Sequence, residues 1–341
     1  MRLKFMEQQP LDPTGVSCPS CQEDRRIGIH SHTERRYSCH QCGTTFAETK
    51  GTVFYGLHYP IWVVVLASTL LAHGCPVVAI VAAFAIDERT VLRWLDQLGL
   101  HGKAVQEPFV CQGQVEFGQV QLDELCVTVQ GGKVWVATAM SVFSRLCLWG
   151  EVSTRRDKGL VEGGVMKVKQ AASSTTPAIL FAVDGLAAYP KAILNIFHPN
   201  LYTGRQGRPR HLPWPNLHIV QVIKSRSGQK LKEVTRTWVY GNLQQAYDII
   251  QLTHVGLGQI NTAFIERLNG TFRSRMPSFV RRTRHVARMP TRLEREMFWS
   301  GSVYNVCTRH RTVEGTPAMA AGLTETVWSV EQLLRLKLPN P

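Results

Sequence analysis

The 341-residue chain carries 39 Lys and Arg against 25 Asp and Glu, so 39 − 25 gives a formal charge of +14 at pH 7. With 44% hydrophobic residues it has the makings of a sizeable core, in two or three domains. The basic balance favours a polyanionic partner, the alternative being a generally basic surface, and a segment-by-segment reading speaks against a membrane span and a disulfide scaffold.

The opening "MRLKFMEQQP" has no apolar run after Arg2 and Lys4, so no secretory signal is expected there. Cys18-Pro-Ser-Cys21 and Cys39-His-Gln-Cys42 then form two C-x2-C pairs with seventeen residues between them. Each pair puts two thiolates on one tight turn, and two such turns can close a tetrahedral shell around Zn²⁺. Residues 1–50 are too short for a core of their own, so metal binding would supply their folding energy as a zinc ribbon. Two disulfides are the alternative. His30, His32 and His40 are set aside as ligands because four thiolates already complete the shell. Arg25, Arg26, Arg35 and Arg36 lie between the pairs, where they could meet phosphate. The remaining five of nine Cys are scattered, which suits a reducing cytoplasm.

The most apolar stretch, residues 60–86, is interrupted by "HGCP" at 73–76, and neither half reaches the roughly 20 residues a span needs. It reads as buried helices. One helix ends at Gly74, Pro76 opens a second, and Asp87 is placed to cap a third over "ERTVLRWLDQLGL". Val91, Leu92, Leu95 and Leu98 give that helix an apolar stripe. Arg89, Thr90, Arg93 and Trp94 are expected nearer its outer face. Residues 57–101 thus match a DNA-reading helix-turn-helix, or a plain helical bundle. Residues 102–114 read as a linker.

From residue 115 the pattern turns extended. "VEFGQVQLDELCVTV", "KVWVATAMSV" and "RLCLWGEVS" read as three strands, "KGLVEGGVMKVKQAA" as a helix, and "AILFAVD" as a buried strand ending in Asp184. A carboxylate inside an apolar strand is costly unless it is paired or holds a cation, which singles out Asp123. Strand alternation puts Glu124 on the opposite side, facing solvent. Farther on, "NTAFIERLNGTFRSR" is a helix with Glu266, Asn269 and Arg273 along one face and Ile265, Leu268 and Phe272 on the adjoining apolar stripe. Three carboxylates from separate segments suit Mg²⁺ (or Mn²⁺), and a metal pair serves in-line phosphoryl displacement. The same acids could instead be solvated or salt-bridged.

The blocks "LDE", "VDGLAAY", "NTAFIERLNGTFRSR" and "YNVCTRHRTVEGTPAMAAGL" at 304–323 resemble DDE-type transposases of bacterial insertion sequences, in the class where a zinc ribbon and helix-turn-helix precede the catalytic part. The resemblance implies an α/β, ribonuclease-H-like catalytic domain over 115–325, followed by a C-terminal tail at 326–341. It implies that Asp123, Asp184 and Glu266 bind the divalent metals, that Arg273 grips phosphate, and that Asn269 fills a polar position beside them. Tyr189 matches an aromatic position, with packing as its plain role. The implied activity is cleavage and strand transfer of double-stranded DNA at an element's terminal inverted repeats. The implied setting is a homodimer or higher oligomer, with no membrane association, in the bacterial cytoplasm at the nucleoid. A ribonuclease-H-like nuclease without strand transfer, and a non-enzymatic DNA-binding regulator, are the rival readings. The 266 − 184 = 82 positions between the last two acids call for an added loop and two strands. Eight Arg between 273 and 295, among them Arg281, Arg282 and Arg284, are expected to grip the DNA backbone, with Arg205, Arg208 and Arg210 as a second basic cluster.

Overall fold

The computed structural model describes residues 10–174, 176, 178–198, 200–201, 210–211, 214–228, 230–252, 259–280, 287 and 289–337. Arg205, Arg208, Arg281, Arg282 and Arg284 fall outside the described residues.

At the front, β1 (Ile27–Ser31), β2 (Arg36–Cys39) and β3 (Thr45–Ala47) form a three-stranded antiparallel ribbon. Its core consists of Leu11, Cys18, Tyr37, Cys39 and Phe46. Two of these five are cysteines of the C-x2-C pairs. Glu48, paired with Arg35, also meets Arg335 at 3.2 Å and so ties the ribbon to the far end of the chain.

Helices α1 (Ile61–Ala72), α2 (Val77–Phe84) and α3 (Glu88–Val105) follow. Asp87 caps α3 as expected, its carboxylate accepting from the Arg89 and Thr90 amides at 2.9 and 3.3 Å. Two expectations fail here. Trp94 is buried, at 1% exposure, and its ring meets Tyr59 edge-on. The segment expected as a linker is helical to Val105 and continues as a π-turn over Gln106–Val110. Val105 and Val110 belong to the same core as Trp94, so hydrophobic burial continues the helix into the expected linker.

The main body is α/β. A six-stranded mixed sheet runs in the order β11-β10-β7-β4-β5-β6. Strands β4 (Gln119–Val129), β5 (Gly132–Ser141) and β6 (Cys147–Ser153) form an antiparallel meander. Helix α4 (Lys158–Ala171) then crosses to β7 (Ile179–Val183), which lies parallel to β4. After α5 (Ala188–Ile196) and the two-residue pair β8 (Asn200–Leu201) and β9 (Arg210–His211), β10 (Leu217–Ser227) adds parallel to β7. Strand β11 (Lys230–Tyr240) closes the edge as a hairpin with β10. Four strands, β8 to β11, thus lie between Asp184 and Glu266, where the long spacing calls for an added loop and two strands.

One face of the sheet packs on α4, α5 and the three front helices. The other face takes α6 (Leu243–Leu252) over β7 and β10, and α7 (Ala263–Arg275) with α8 (Pro290–Val306) over β4 and β5. Helix α8 lies along α3, and the approach is close because α3 has no side chain at two contact points. A Cβ on Gly99 would stand 2.4 Å from the Arg295 backbone, and one on Gly102 would stand 2.7 Å from the Phe298 carbonyl. Ser302 donates to the Gly102 carbonyl at 3.2 Å, and Arg292 to the Leu92 carbonyl at 3.0 Å. After α9 (Pro317–Ala320), the expected tail instead holds α10 (Val330–Arg335). Ser329 and Gln332 form a capping box, and Leu333 and Leu334 are fully buried in the main core.

Candidate metal centres

Cys18, Cys21, Cys39 and Cys42 bring their sulfurs within 4.8 Å of one another. Cys18 and Cys42 are 3.6 Å apart, as are Cys21 and Cys39. A tetrahedral Zn²⁺ with bonds of about 2.3 Å would separate its thiolates by about 3.8 Å, so the spacing fits. The two knuckles are built alike: Gln22 N donates to Cys18 O at 3.0 Å, and Gly43 N to Cys39 O at 2.9 Å. Thr44 Oγ1 lies 3.3 Å from Cys42 Sγ, and its hydroxyl and amide hold that thiol down at about 6.

The second centre forms where β7 stops. Its parallel register with β4 ends at the pair Gln121 and Ala182, while β4 runs on to Val129 against β5. Continuing that register by two residues brings Asp184 level with Asp123. Chain order reverses here: β4 leads to β5 and β6 on one side, while β7 and β10 lie on the other. A crevice outside the carboxyl ends of parallel strands at such a switch point is where open α/β sheets bind ligands.

Asp123, Glu124 and Asp184 each place a carboxylate oxygen within 4.8 Å of the others. Glu124 thus departs from the expectation that it faces solvent. It does lie on the opposite face of β4 from Asp123, as alternation requires. That face is covered by α4 and α5, and Glu124 is 7% exposed. With β7 ended, nothing separates its side chain from Asp184. Arg156, in the turn before α4, bridges the two, 3.0 Å from Glu124 and 3.5 Å from Asp184, with its guanidinium over the Trp135 ring. The buried Tyr189 approaches Glu124 from α5.

On the other face, Asn269 Nδ2 donates to Asp123 Oδ2 at 2.7 Å. Helix α7 is seated for this contact by Gln121, wholly buried two residues before Asp123 on the same face of β4. Its amide donates to the Asn261 carbonyl at 2.6 Å and accepts from the Ile265 N–H at 2.8 Å. Asp184 is held by its own turn, accepting from the Leu186 amide at 2.9 Å, while Gln221 of β10 donates to the Asp184 carbonyl at 3.2 Å. Glu266 stands on the rim: it is ion-paired to Lys224 of β10 and accepts from Thr262 at 2.9 Å. The tight group is therefore Asp123, Glu124 and Asp184, with Glu266 beside it. Arg273 is half-buried two turns along α7 from Glu266. Arg89 and Arg93 are exposed and Thr90 half-buried on the first turns of α3, remote in sequence from the acids.

Burial and the neighbouring charges of Glu124, Asp184 and Glu266 push the Asp123 carboxyl up to about 6, against the amide of Glu124 that holds it down. Burial raises Glu124 as well, opposed by Arg156. Four acids thus meet two paired cations, Arg156 and Lys224, at this edge. The donor set is all hard oxygen, which suits Mg²⁺ rather than a thiophilic metal. Sequence reasoning missed Gln121, Arg156 and Lys224. A glutamine inside the apolar run "VQLDEL" was the one available signal, since a buried amide needs partners.

No family model matches this sequence, and no curated protein is similar enough to count as a relative. No described helix is long and apolar enough to cross a membrane. Function has to be argued from the site itself.

Proposed function

We propose that the chain is a polynucleotidyl transferase of the DDE transposase type, which cleaves and rejoins DNA strands at the acidic edge of its sheet. The observation that carries this reading is the convergence of Asp123 and Asp184 from parallel neighbouring strands, with Glu124 between them and Glu266 alongside on α7. The strand order, an antiparallel meander followed by two parallel strands added beside its first strand, is that expected of a ribonuclease-H-like domain. The formal charge of +14 and the thiol knuckle, which would hold Zn²⁺, support a nucleic-acid partner.

Asp123 and Asp184 would hold Mg²⁺ in common, with Glu124 or Glu266 completing the shell. Bound there, the ions would supply charge stabilisation at the scissile phosphate and activate water or a 3′-hydroxyl as nucleophile. The chain's own residues prepare the place. Gln121 fixes α7 on β4, Asn269 holds one oxygen of Asp123 in plane, and the Asp184 turn is braced by Gln221. Arg156 and Lys224 neutralise the acids and lie where they would turn toward substrate phosphates. Arg273 is assigned to a phosphate of the same strand. Arg89, Thr90 and Arg93 on α3, together with Arg281, Arg282 and Arg284, are assigned to duplex DNA outside the site. Handling two ends together calls for at least a dimer.

The second reading is a nuclease that only hydrolyses. The compact Asp123–Glu124–Asp184 group favours it, because these three could hold a metal without Glu266. Incubation of the full chain with end-labelled DNA, a target plasmid and Mg²⁺ decides between the two. Joined products that disappear in Asp123→Asn establish transfer. Cleavage without joining establishes hydrolysis, and no Mg²⁺-dependent change in the DNA removes both.

A further inference from the structure

On the side of α7 away from Glu266 and Asn269, a small recess collects positive charge. Phe264, Arg267 and Thr271 lie along one stripe of the helix, and His310 and Thr312 face them from the segment after α8. Its floor is Arg145, only 4% exposed. Arg145 ends the turn between β5 and β6 with φ at 63°, a left-handed conformation that L side chains rarely adopt. Its guanidinium stacks over Phe264 at 4.2 Å, donates through Nε to Thr312 Oγ1 at 3.1 Å, and donates through Nη1 to the Val142 carbonyl. These contacts engage two of its five N–H groups.

Among the described residues no carboxylate lines this recess. Among the described residues, none of Arg145, Arg267, Arg275 and His310 forms an ion pair. The cations act on one another instead: burial, then Arg145, Arg267 and Arg275, depress the His310 imidazole. A buried guanidinium with cationic neighbours and no acid is costly unless an anion joins it. The cavity, about 40 Å³, has room for an oxygen or two but not for a base or sugar.

We propose that this recess is a phosphate-binding subsite that takes a backbone phosphate of the DNA strand lying across the acidic edge, with Arg145 and Arg267 as donors and His310 at its rim. The choice of DNA as the source of the phosphate rests on the function proposed above. Arg267 follows Glu266 directly, so one helix would present its acid to the reacting phosphate and its cation to a neighbouring one.

The test measures duplex binding by the full chain as a function of salt, for wild type, Arg267→Gln, His310→Gln and Asp123→Asn. Both recess variants change partly exposed side chains, and folding is checked by circular dichroism. The expected result is a several-fold loss of affinity in Arg267→Gln and His310→Gln, with the slope of log K against log salt falling by about one for Arg267→Gln. Asp123→Asn, which removes a negative charge from the edge the strand crosses, should show no such loss. A parallel arm follows the His310 ring by NMR: DNA should raise its pKa in wild type. An unchanged slope together with an unshifted His310 overturns the subsite, even if strand cleavage stands. If duplex does not bind but inorganic phosphate shifts His310, the recess is an anion site for a free phosphate compound, and it is the polynucleotide reading that fails.

Discussion

The thiol knuckle and the carboxylate edge could each hold a metal, but they differ in what else keeps them in place. Around the knuckle, the apolar cluster has five members, and two of them are Cys18 and Cys39 themselves. Around the carboxylates, three larger clusters pack both faces of a six-stranded sheet. In the ribbon a metal would be part of the core. At the sheet edge the fold stands by itself, and a metal would relieve repulsion that the fold imposes.

The largest expected effect is therefore at the ribbon. Cys39→Ser, or a strong zinc chelator, should abolish hydrogen-exchange protection over residues 27–47 while leaving β4 and β7 protected. Structural zinc binding of about 10–16 kcal/mol sets that scale. Protection lost equally in both regions would mean the two are not independent.

Next is Gln121→Ala, which strands the Asn261 carbonyl and the Ile265 amide in a buried place. Denaturant unfolding should show a loss of about 2–4 kcal/mol. Mg²⁺-dependent turnover should fall further than stability alone explains, because Asn269 and Glu266 lose their seat. Normal turnover in this variant would separate α7 from the chemistry.

Acidity gives a third, smaller contrast. The folded Asp123 carboxyl holds its proton more tightly than the unfolded one, which sits near 3.8. Its contribution to stability is therefore fully present below about pH 4 and is lost as pH rises through about 6, a difference of about 2–3 kcal/mol. Because Mg²⁺ binds the deprotonated form, its thermal stabilisation should be absent near pH 4 and reach about 2–4 °C near pH 7. A Mg²⁺ effect independent of pH would count against Asp123 as a ligand.

The smallest effect is expected from Arg156→Gln. Removing Arg156 from between Glu124 and Asp184 should tighten Mg²⁺ binding severalfold by calorimetry, because a cation that competes with the metal is gone. Weaker binding would make Arg156 a support of the site rather than a competitor.

Much of this was legible in the residues. The C-x2-C spacing, the Asp87 cap, the meander over 115–153 and the apolar run ending at Asp184 depend on local geometry, which sequence encodes directly. Asp123 stood out for the same reason: a charge within an apolar strand must be answered by something. What escaped notice depends on where other elements stop or dock. Glu124 joins the acids because β7 ends one residue before Asp184, which no periodicity in β4 reveals. Trp94 is buried, and 102–110 is helical, because α3 continues into the common core. Arg145 reads as a turn residue until the 304–312 segment folds over it.

The absence of side chains at Gly99 and Gly102 has a mechanical consequence. With backbones this close over that stretch, the helix capped by Asp87 and the helix beside the acidic face have little room to slide or swivel against each other. Under the proposed function, a duplex held at the front end would reach the acidic edge at a fixed pitch, so adding base pairs between the two contact points should rotate the target bond out of reach instead of being absorbed by a swivel.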